Sequence, residues 1–332
     1  MLREIQNLRA FAVLAVILIH VTASFTKVGH LTHVTGIALA LDSAAQVAVP
    51  LFVCISGFVL SLKNYSFSTF YFKRASAILP AYLLFSVFYA MYFHKPILNS
   101  ILDGKAAYHL HFFIIIFGLY ILYPLIMRLY FGKITLIASL LMQLYFWNLP
   151  YVSYIKTMPV WFYSWIGYIF YFVLGIYICK NYAKIQKILE NIPTIYIVAP
   201  TFILWVLRIL YWLKSYYKIY YFEIDILQIV WINKLITIAL FTGIFATAYK
   251  LVLHDRSQIL KKIGDYSFGI YLVHVLILDK TVQMLLRYNI DQTEPLFYIF
   301  SFMSTIIISY VIIDIWHSIR EQLGRGPFKQ VM

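Results

Sequence analysis

An arginine and a histidine stand eleven residues apart in the first apolar segment of the chain, at Arg9 and His20. Eleven residues make close to three helical turns, so a helix places both side chains on one stripe, about 16 Å apart along its axis. A neutral imidazole can take up a proton, and a guanidinium can bind phosphate or carboxylate through paired hydrogen bonds. Because ionisable groups are costly inside a membrane helix, such a pair indicates a functional site.

A structural explanation for the same two residues stays open. An arginine near the end of a membrane helix can extend its charged group to the interface, where water solvates it. A histidine inside a helix bundle can be held there by hydrogen bonds alone. The first helix does not decide between these roles, so the elements around it must be considered.

Composition identifies the kind of protein that must position this pair. The chain has 332 residues, of which 63% are hydrophobic and 12% are charged, and its mean hydropathy is +0.81. A soluble domain carries about 25% charged residues. The apolar segments are long enough for helices rather than for barrel strands. The sequence therefore predicts an all-α polytopic transmembrane bundle, formed by a single integral-membrane domain over residues 1–332.

The apolar segments predict about ten membrane spans. Their ranges are 8–26, 37–62, 75–93, 108–127, 134–149, 162–179, 193–213, 228–250, 266–286 and 296–317. With the N-terminus inside, most of the Lys and Arg residues between these spans fall on the cytoplasmic side. This asymmetry predicts that both termini are cytoplasmic. We also expect the first segment to be retained, because it lacks the exit pattern of a cleavable signal peptide.

The formal charge of +14 does not indicate a nucleic-acid-binding protein. The sequence has no basic helix or extended Lys/Arg cluster outside the apolar segments, and most of its charges stand singly in short loops. Membrane orientation produces this distribution. It also concentrates positive charge on the inner face, where an anionic cytosolic donor could be held.

Cysteine and histidine spacing predicts neither a disulfide nor a metal site. Cys54 and Cys179 both fall inside apolar segments. The closely spaced histidine pairs of the sequence lack companion ligands at metal-binding distances along the chain.

Five segments occur in order over nearly the whole chain, at compatible spacing. They are Arg9 to His20, Val49–Leu60 around Ser56-Gly57-Phe58, Phe70–Tyr82 around Lys73-Arg74, Tyr108–Leu125 with His109 and His111, and Ile263–His274 with Tyr271. Together these segments resemble the membrane acyltransferases of acyltransferase family 3. They look closest to Gram-positive members that modify surface polysaccharides, including those of the poly-N-acetylglucosamine adhesin system.

The resemblance implies a membrane O-acyltransferase of the bacterial plasma membrane. Its donor would be cytosolic acyl-CoA, with acetyl or succinyl as the acyl group, and its acceptor a hydroxyl of an extracytoplasmic glycan or cell-surface polysaccharide. His20 would be the general base, with Arg9 as the second catalytic residue and no metal. A covalent acyl-His intermediate stays open, as does the choice for Arg9 between binding the donor and holding the first helix.

The resemblance also implies two groups of binding residues. The donor side would use Arg74 with Lys73 for the phosphates of CoA, and Ser56 for packing around the donor. A second tier could contact the acceptor; its members are His109, His111, Tyr271 and His274. Interfacial anchoring remains an alternative for His109 and His111.

The sequence leaves further partners and two other functions open. The expected partners are the lipid bilayer, the glycan acceptor, acyl-CoA and a glycan synthase complex, but no nucleic acid. The leading alternative is an exporter of polysaccharide or glycolipid, although the sequence has no hydropathy repeat and no paired broken helices. A non-catalytic subunit of a synthase complex is the third hypothesis, and the ionisable stripe with His20 argues against it.

Overall fold

The structure is a computed structural model that describes residues 2–28, 30–63, 66–148, 163–217, 230–253, 255 and 257–323. These residues form helices and connecting turns, without strands. The helices are α1 (Arg3–Thr22), α2 (His33–Ala45), α3 (Ala48–Leu60), α4 (Phe67–Tyr92), α5 (Ile97–Asp103), α6 (His111–Arg128), α7 (Lys133–Asn148), α8 (Ile169–Lys180), α9 (Tyr182–Asn191), α10 (Ile195–Tyr217), α11 (Val230–Leu253), α12 (Gln258–Arg287) and α13 (Pro295–Gln322).

Eight described helical segments are long and apolar enough to cross a membrane, or nine if the bent pair Ser164–Lys180 and Tyr182–Asn191 is one span. Helix α7 has 16 residues. Its rise of about 24 Å is short for a hydrocarbon core of about 30 Å. Each predicted span has a helical counterpart, which confirms the all-α polytopic membrane bundle. Positions 149, 162, 228 and 229 at the ends of predicted spans lie outside the described residues.

Two helices begin earlier than their predicted spans. Helix α4 begins at Phe67 rather than at residue 75, so Lys73 and Arg74 lie inside the helix and not in the loop before it. Helix α12 begins at Gln258 rather than at residue 266. Hydropathy marks the part of a helix that lies in hydrocarbon, whereas the backbone hydrogen bonds continue through the polar interface.

The predicted span 37–62 contains two helices instead of one. Helix α2 ends at Ala45, and α3 begins at Ala48. Pro50 lies in the first turn of α3, where its missing N–H costs little. The long apolar run thus hides a turn that hydropathy does not register.

The chain packs as two compact units. Among the described residues, unit 1 consists of residues 2–52 and 186–323, and unit 2 of residues 53–185. Unit 1 therefore contains α1, α2 and α10 to α13, whereas unit 2 contains α4 to α8. Helices α3 and α9 continue along the chain from one unit into the other.

Helix α1 is the central helix of unit 1. It packs along α12 and also contacts α2, α11 and α13. Its buried side chains include Leu8, Val13, Val16 and Ile17. A helix with neighbours on most of its sides must be apolar nearly all round, which explains the apolar composition of α1. Any buried polar side chain on it therefore needs a hydrogen-bond partner within the bundle.

Candidate functional site

The stripe of α1 that carries Arg9 and His20 belongs to unit 1. Arg9 is buried near the beginning of the helix, and His20 is half-buried in its last turn. The prediction that one helix carries both residues is confirmed. Each residue is associated with a different part of α12.

Arg9 takes part in a network of hydrogen bonds. Its Nη1 donates to Oε1 of Gln6, one turn earlier, at 3.3 Å. The Nε2 of Gln6 donates to Oδ1 of Asp265 on α12 at 2.6 Å. The other carboxylate oxygen of Asp265 accepts a bond of 3.0 Å from Nζ of Lys261. The network therefore connects the guanidinium on α1 with a carboxylate on α12 through one amide.

The backbones of α1 and α12 come very close beside this network. A Cβ atom at Gly264 would stand 1.9 Å from the carbonyl oxygen of Gln6, so this contact requires glycine. Arg3 adds a further bond between the two segments, because its Nη2 donates to the carbonyl oxygen of Ser257 at 3.2 Å. The beginning of α1 is thus held against α12 both by shape and by hydrogen bonds.

His20 is associated with α12 through its ring. The rings of His20 and His274 stack with centroids 5.4 Å apart and an angle of 19° between their planes. His274 is 0% exposed, and its Nδ1 lies 2.7 Å from the carbonyl oxygen of Tyr271. A carbonyl can only accept, so Nδ1 carries the hydrogen, and Nε2 is the basic nitrogen of the neutral ring.

The surroundings fix the ring of His274 further. Its partner Tyr271 meets Phe52 edge to face, with centroids 6.1 Å apart, and also contacts the His274 ring at 5.6 Å. Like charges repel strongly in a low-dielectric interior, so the two stacked imidazoles hold one proton far more readily than two. Such a pair can therefore accept and release a single proton, which is the requirement for general acid–base chemistry.

The predicted donor-side residues belong to unit 2. Lys73 is exposed and Arg74 is half-buried, both within α4. Ser56 is buried in α3. A Cβ atom at the next residue, Gly57, would stand 2.1 Å from the carbonyl oxygen of Phe172, so α3 and α8 touch there through their backbones. This contact supports a packing role for the Ser-Gly pair.

The two histidines near the start of α6 also belong to unit 2, and they differ in environment. His109 is buried and meets the ring of Tyr89 edge to face, with centroids 5.1 Å apart. His111 is half-buried and is the first residue of α6. His109 therefore packs inside an aromatic cluster, whereas His111 lies nearer the surface.

The predicted site residues fall into two groups. Within unit 1, Arg9 and His20 share α1, and His20, Tyr271 and His274 form one ring cluster. The other predicted residues belong to unit 2; they are Ser56, Lys73, Arg74, His109 and His111.

A family model described as an acyltransferase domain matches residues 2–314. The chain belongs to acyltransferase family 3. It is therefore a multi-pass membrane acyltransferase, as the five ordered segments predict. The family match extends over parts of both units.

Curated relatives of this acyltransferase carry a more specific description. A probable poly-beta-1,6-N-acetyl-D-glucosamine export protein of Staphylococcus aureus (strain Mu50 / ATCC 700699) is 28% identical over 256 residues, which cover 69% of this chain and 68% of the relative. A protein of the same description from Staphylococcus epidermidis is 27% identical over 358 aligned positions, covering 98% of this chain and 95% of the relative. No solved structure matches the chain.

In this acyltransferase, sequence reasoning missed Gln6, which accepts a hydrogen bond from Arg9, and Asp265, which accepts one from Gln6. Gln6 stands three residues before Arg9, a spacing that places both on one side of a helix. Asp265 lies inside the segment Ile263–His274 that carries the resemblance. Helical spacing alone could have identified Gln6. The role of Asp265 becomes visible only once the structure shows that α12 packs against α1.

A second polar cluster of unit 1 was also missed. Asp42 on α2 is buried and accepts hydrogen bonds from Oγ1 of Thr22 at 3.2 Å and from Nε2 of Gln46 at 3.0 Å. Arg208 on α10, which interacts electrostatically with Asp42, donates to Oδ1 of Asn233 at 2.9 Å. Buried charges of this kind are expensive, and here each has a polar partner on its own or a neighbouring helix.

No group of three or more His, Cys, Asp or Glu residues within the described ranges could hold a metal ion.

Proposed function

We propose that this acyltransferase moves an acyl group, acetyl or succinyl, from cytosolic acyl-CoA to a hydroxyl of an extracytoplasmic glycan. The observation that carries the proposal is the stacked pair of His20 and His274 between two membrane-spanning helices. The relatives' description names a polymer of N-acetylglucosamine, which supports a cell-surface polysaccharide as the acceptor class. Their staphylococcal origin supports the bacterial plasma membrane as the location.

In this mechanism, His20 is the general base. It takes the proton from the sugar hydroxyl as the oxygen attacks the thioester carbonyl of the donor. The new C–O ester bond forms, the C–S bond breaks, and the thiolate of CoA takes up the proton from His20. In a two-step variant a ring nitrogen of His20 attacks the thioester carbonyl, the C–S bond breaks, and CoA leaves with the ring proton as its thiol. The sugar hydroxyl then attacks the acyl carbon, the C–N bond breaks, and the hydroxyl proton returns to the imidazole.

His274 acts on this step through His20. Its ring is held by the bond from Nδ1 to the carbonyl oxygen of Tyr271, so it offers His20 a fixed face. The stack thereby holds the plane of the base that accepts the proton.

Arg9 is proposed to bind a phosphate of the donor on the cytoplasmic side of His20. Its guanidinium can form two parallel bonds to a phosphate, and its contact with Gln6 limits its rotation. Lys73 and Arg74 are proposed to bind further CoA phosphates, with Ser56 packing around the donor. His109 and His111 are proposed second-tier contacts for the acceptor, together with Tyr271.

Mass spectrometry of surface glycans tests the proposal. Cells that lack the gene are complemented with the wild type, with His20→Ala or with His30→Ala, which removes an exposed histidine outside the site. We expect acylated glycan with the wild type and with His30→Ala, and no acylated glycan with His20→Ala. Unchanged acylation with His20→Ala would contradict the role of His20. Purified protein in liposomes that transfers no acyl group from acyl-CoA to such glycans would contradict the reaction.

Export of a glycan polymer is the second candidate, because the relatives are described as export proteins. The same cells separate the two functions if the amount of external polymer is measured beside its acylation. An acyltransferase loses acyl groups with His20→Ala and keeps the polymer outside. Loss of external polymer with acylation intact would favour export. Association with a glycan synthase complex, a further proposed partner, is measured by co-purification with the synthase.

A further inference from the structure

Helix α9 has one apolar side and one polar side. On a helical projection the apolar residues fall in one continuous arc; they are Tyr182, Ile185, Ile188 and Leu189. The rest of the circumference is polar or small; these residues are Ala183, Lys184, Gln186, Lys187, Glu190 and Asn191. Such a division is typical of a helix at the boundary between an apolar and an aqueous phase.

The direction of α9 fits that boundary. The chain bends by 91° between the segment Ser164–Lys180, which ends with α8, and the segment Tyr182–Asn191. Helix α8 is strongly apolar and is part of a candidate span. A helix at right angles to a membrane span runs along the plane of the membrane.

Lys250 indicates the depth of α9 in the membrane. Its Nζ donates to the carbonyl oxygen of Ile192, directly after the last residue of α9, at 2.5 Å. Lys250 lies in the last turn of α11, which ends at Leu253. The end of α9 therefore lies at the level where α11 leaves the hydrocarbon, on the side that charge asymmetry predicts to be cytoplasmic.

The protein itself leaves the apolar arc of α9 without full cover. All ten residues of α9 are described, and none of them is buried. Ile188 in particular is 46% exposed. Lys184 and Lys187 are exposed as well. An apolar arc of this kind in a membrane protein is covered by acyl chains when the helix lies at the interface.

We propose that α9 is an interfacial helix whose apolar arc enters the inner leaflet and whose lysines bind anionic lipid headgroups. Lys184 stands one turn before Ile188, at the edge of the arc, so its aliphatic stem can follow the apolar surface while the ammonium reaches a phosphate. Lys187 adds a second positive charge on the polar side. The partner is a lipid surface with negative charge, and the inference does not depend on the proposed reaction.

Depth measurements on the full-length protein test the insertion. Single cysteines replace Ile188 or Lys187 in a background with Cys54→Ser and Cys179→Ser, and each is labelled with a fluorophore in liposomes. We expect the label at residue 188 to be quenched by lipid-attached quenchers and shielded from aqueous iodide, and the label at residue 187 to behave in the opposite way. Equal access of iodide to both labels would overturn the proposal. Self-quenching between the labels at residue 188 of two protein copies would also overturn it, because a second copy would then cover the arc in place of lipid.

Hydrogen exchange of the unmodified protein gives an independent measurement if the cysteine-free background does not fold. Residues 182–191 are compared between phosphatidylcholine liposomes with and without phosphatidylglycerol. We expect slower exchange of the α9 amides when the anionic lipid is present. Identical exchange in both membranes would overturn binding to anionic headgroups.

A charge comparison tests the lysines themselves. The double variant Lys184→Gln/Lys187→Gln is compared with Lys63→Gln/Lys133→Gln, which removes two exposed lysines at other positions predicted to be cytoplasmic. Retention of phosphatidylglycerol on the purified protein is measured by native mass spectrometry. A lysine near an anionic surface contributes about fivefold to association, so we expect the α9 variant to lose much more lipid than its control. Equal loss in both variants would contradict a specific role for α9.

Discussion

The two ends of α1 meet α12 in different ways. At the Arg9 end, the bond from Gln6 to Asp265 and the close backbone contact at Gly264 hold the helices together. At the His20 end, the contact is a stack of two rings. Hydrogen bonds fix the position of a side chain through its polar atoms, whereas a stack fixes the plane of a ring through its faces. The first arrangement suits binding in a constant place, and the second suits a group that must gain and lose a proton.

The largest expected effect lies at the His20 end. Because a positioned general base contributes about 10²–10⁴-fold to a rate, His20→Gln should lower kcat by that factor. The rate of CoA release in proteoliposomes measures kcat.

Arg9→Lys should instead raise KM for acyl-CoA, because lysine cannot form the paired bonds of a guanidinium. An equal fall of kcat in both variants, without a change of KM, would contradict the proposal that the His20 end transfers the proton and the Arg9 end binds the donor.

The ring stack can be separated from the nitrogen atoms of His274. His274→Ala removes the face beneath His20, and we expect kcat to fall by about 10²-fold, since small displacements of a reacting group have effects of that size. His274→Phe keeps an aromatic face and should retain more activity than His274→Ala. Equal activities of the two variants would contradict orientation by stacking. Thermal unfolding of both variants shows whether they are folded.

The close contact at the Arg9 end is tested by adding one methyl group. Gly264→Ala places a Cβ atom against the carbonyl oxygen of Gln6, and overpacking of this kind costs about 1–3 kcal/mol of stability. Gly36→Ala is the matched control, since its new Cβ atom would meet only Leu31 at 3.5 Å. Thermal unfolding in detergent should show a lower Tm for Gly264→Ala alone. A similar Tm for both variants would mean that the helices separate easily.

The smallest effects concern the two partners of Asp265. Asp265→Ala removes the acceptor for both the Gln6 amide and Lys261, and we expect the Gln6 bond to account for about 1.5 kcal/mol of the loss, as for other hydrogen bonds to charged groups. Lys261→Ala removes a side chain that is 43% exposed and should cost less than about 1 kcal/mol. Denaturant titration compares the two. A larger loss of stability for Lys261→Ala than for Asp265→Ala would mean that the exposed Lys261 side chain stabilises the protein more than the bond between Gln6 and Asp265 does.

Much of this architecture is readable from hydropathy. Long apolar runs located the spans because hydrocarbon accepts only side chains of that kind. Hydropathy did not identify helix α9, because its apolar residues are spaced along one side of the helix and never form a continuous run. The starts of α4 and α12 were placed too late because charged residues near the interface still belong to the helix. The turn between α2 and α3 is hidden for another reason, since it spans only Gln46 and Val47 and two residues barely lower the mean hydropathy of a long apolar run.

The sequence predicts how the candidate-site residues are arranged within one helix, but not which residues of other helices they contact. Helical periodicity places Arg9 and His20 on one face, and that placement is confirmed. Neither the stack of His20 on His274 nor the bond from Gln6 to Asp265 follows from periodicity, because each joins residues more than two hundred positions apart. Contacts of this range depend on which helices pack together, and a single sequence does not specify that pairing.

The bond between Nδ1 of His274 and the carbonyl oxygen of Tyr271 has a spectroscopic consequence. It holds the imidazole in one tautomer, so nitrogen NMR of a histidine-labelled sample should show a protonated Nδ1 and an unprotonated Nε2 for this residue. Acylation of His20 would alter the ring current above His274 without changing its tautomer. His274 thus provides a resident reporter that can distinguish a covalent acyl-His species from direct transfer.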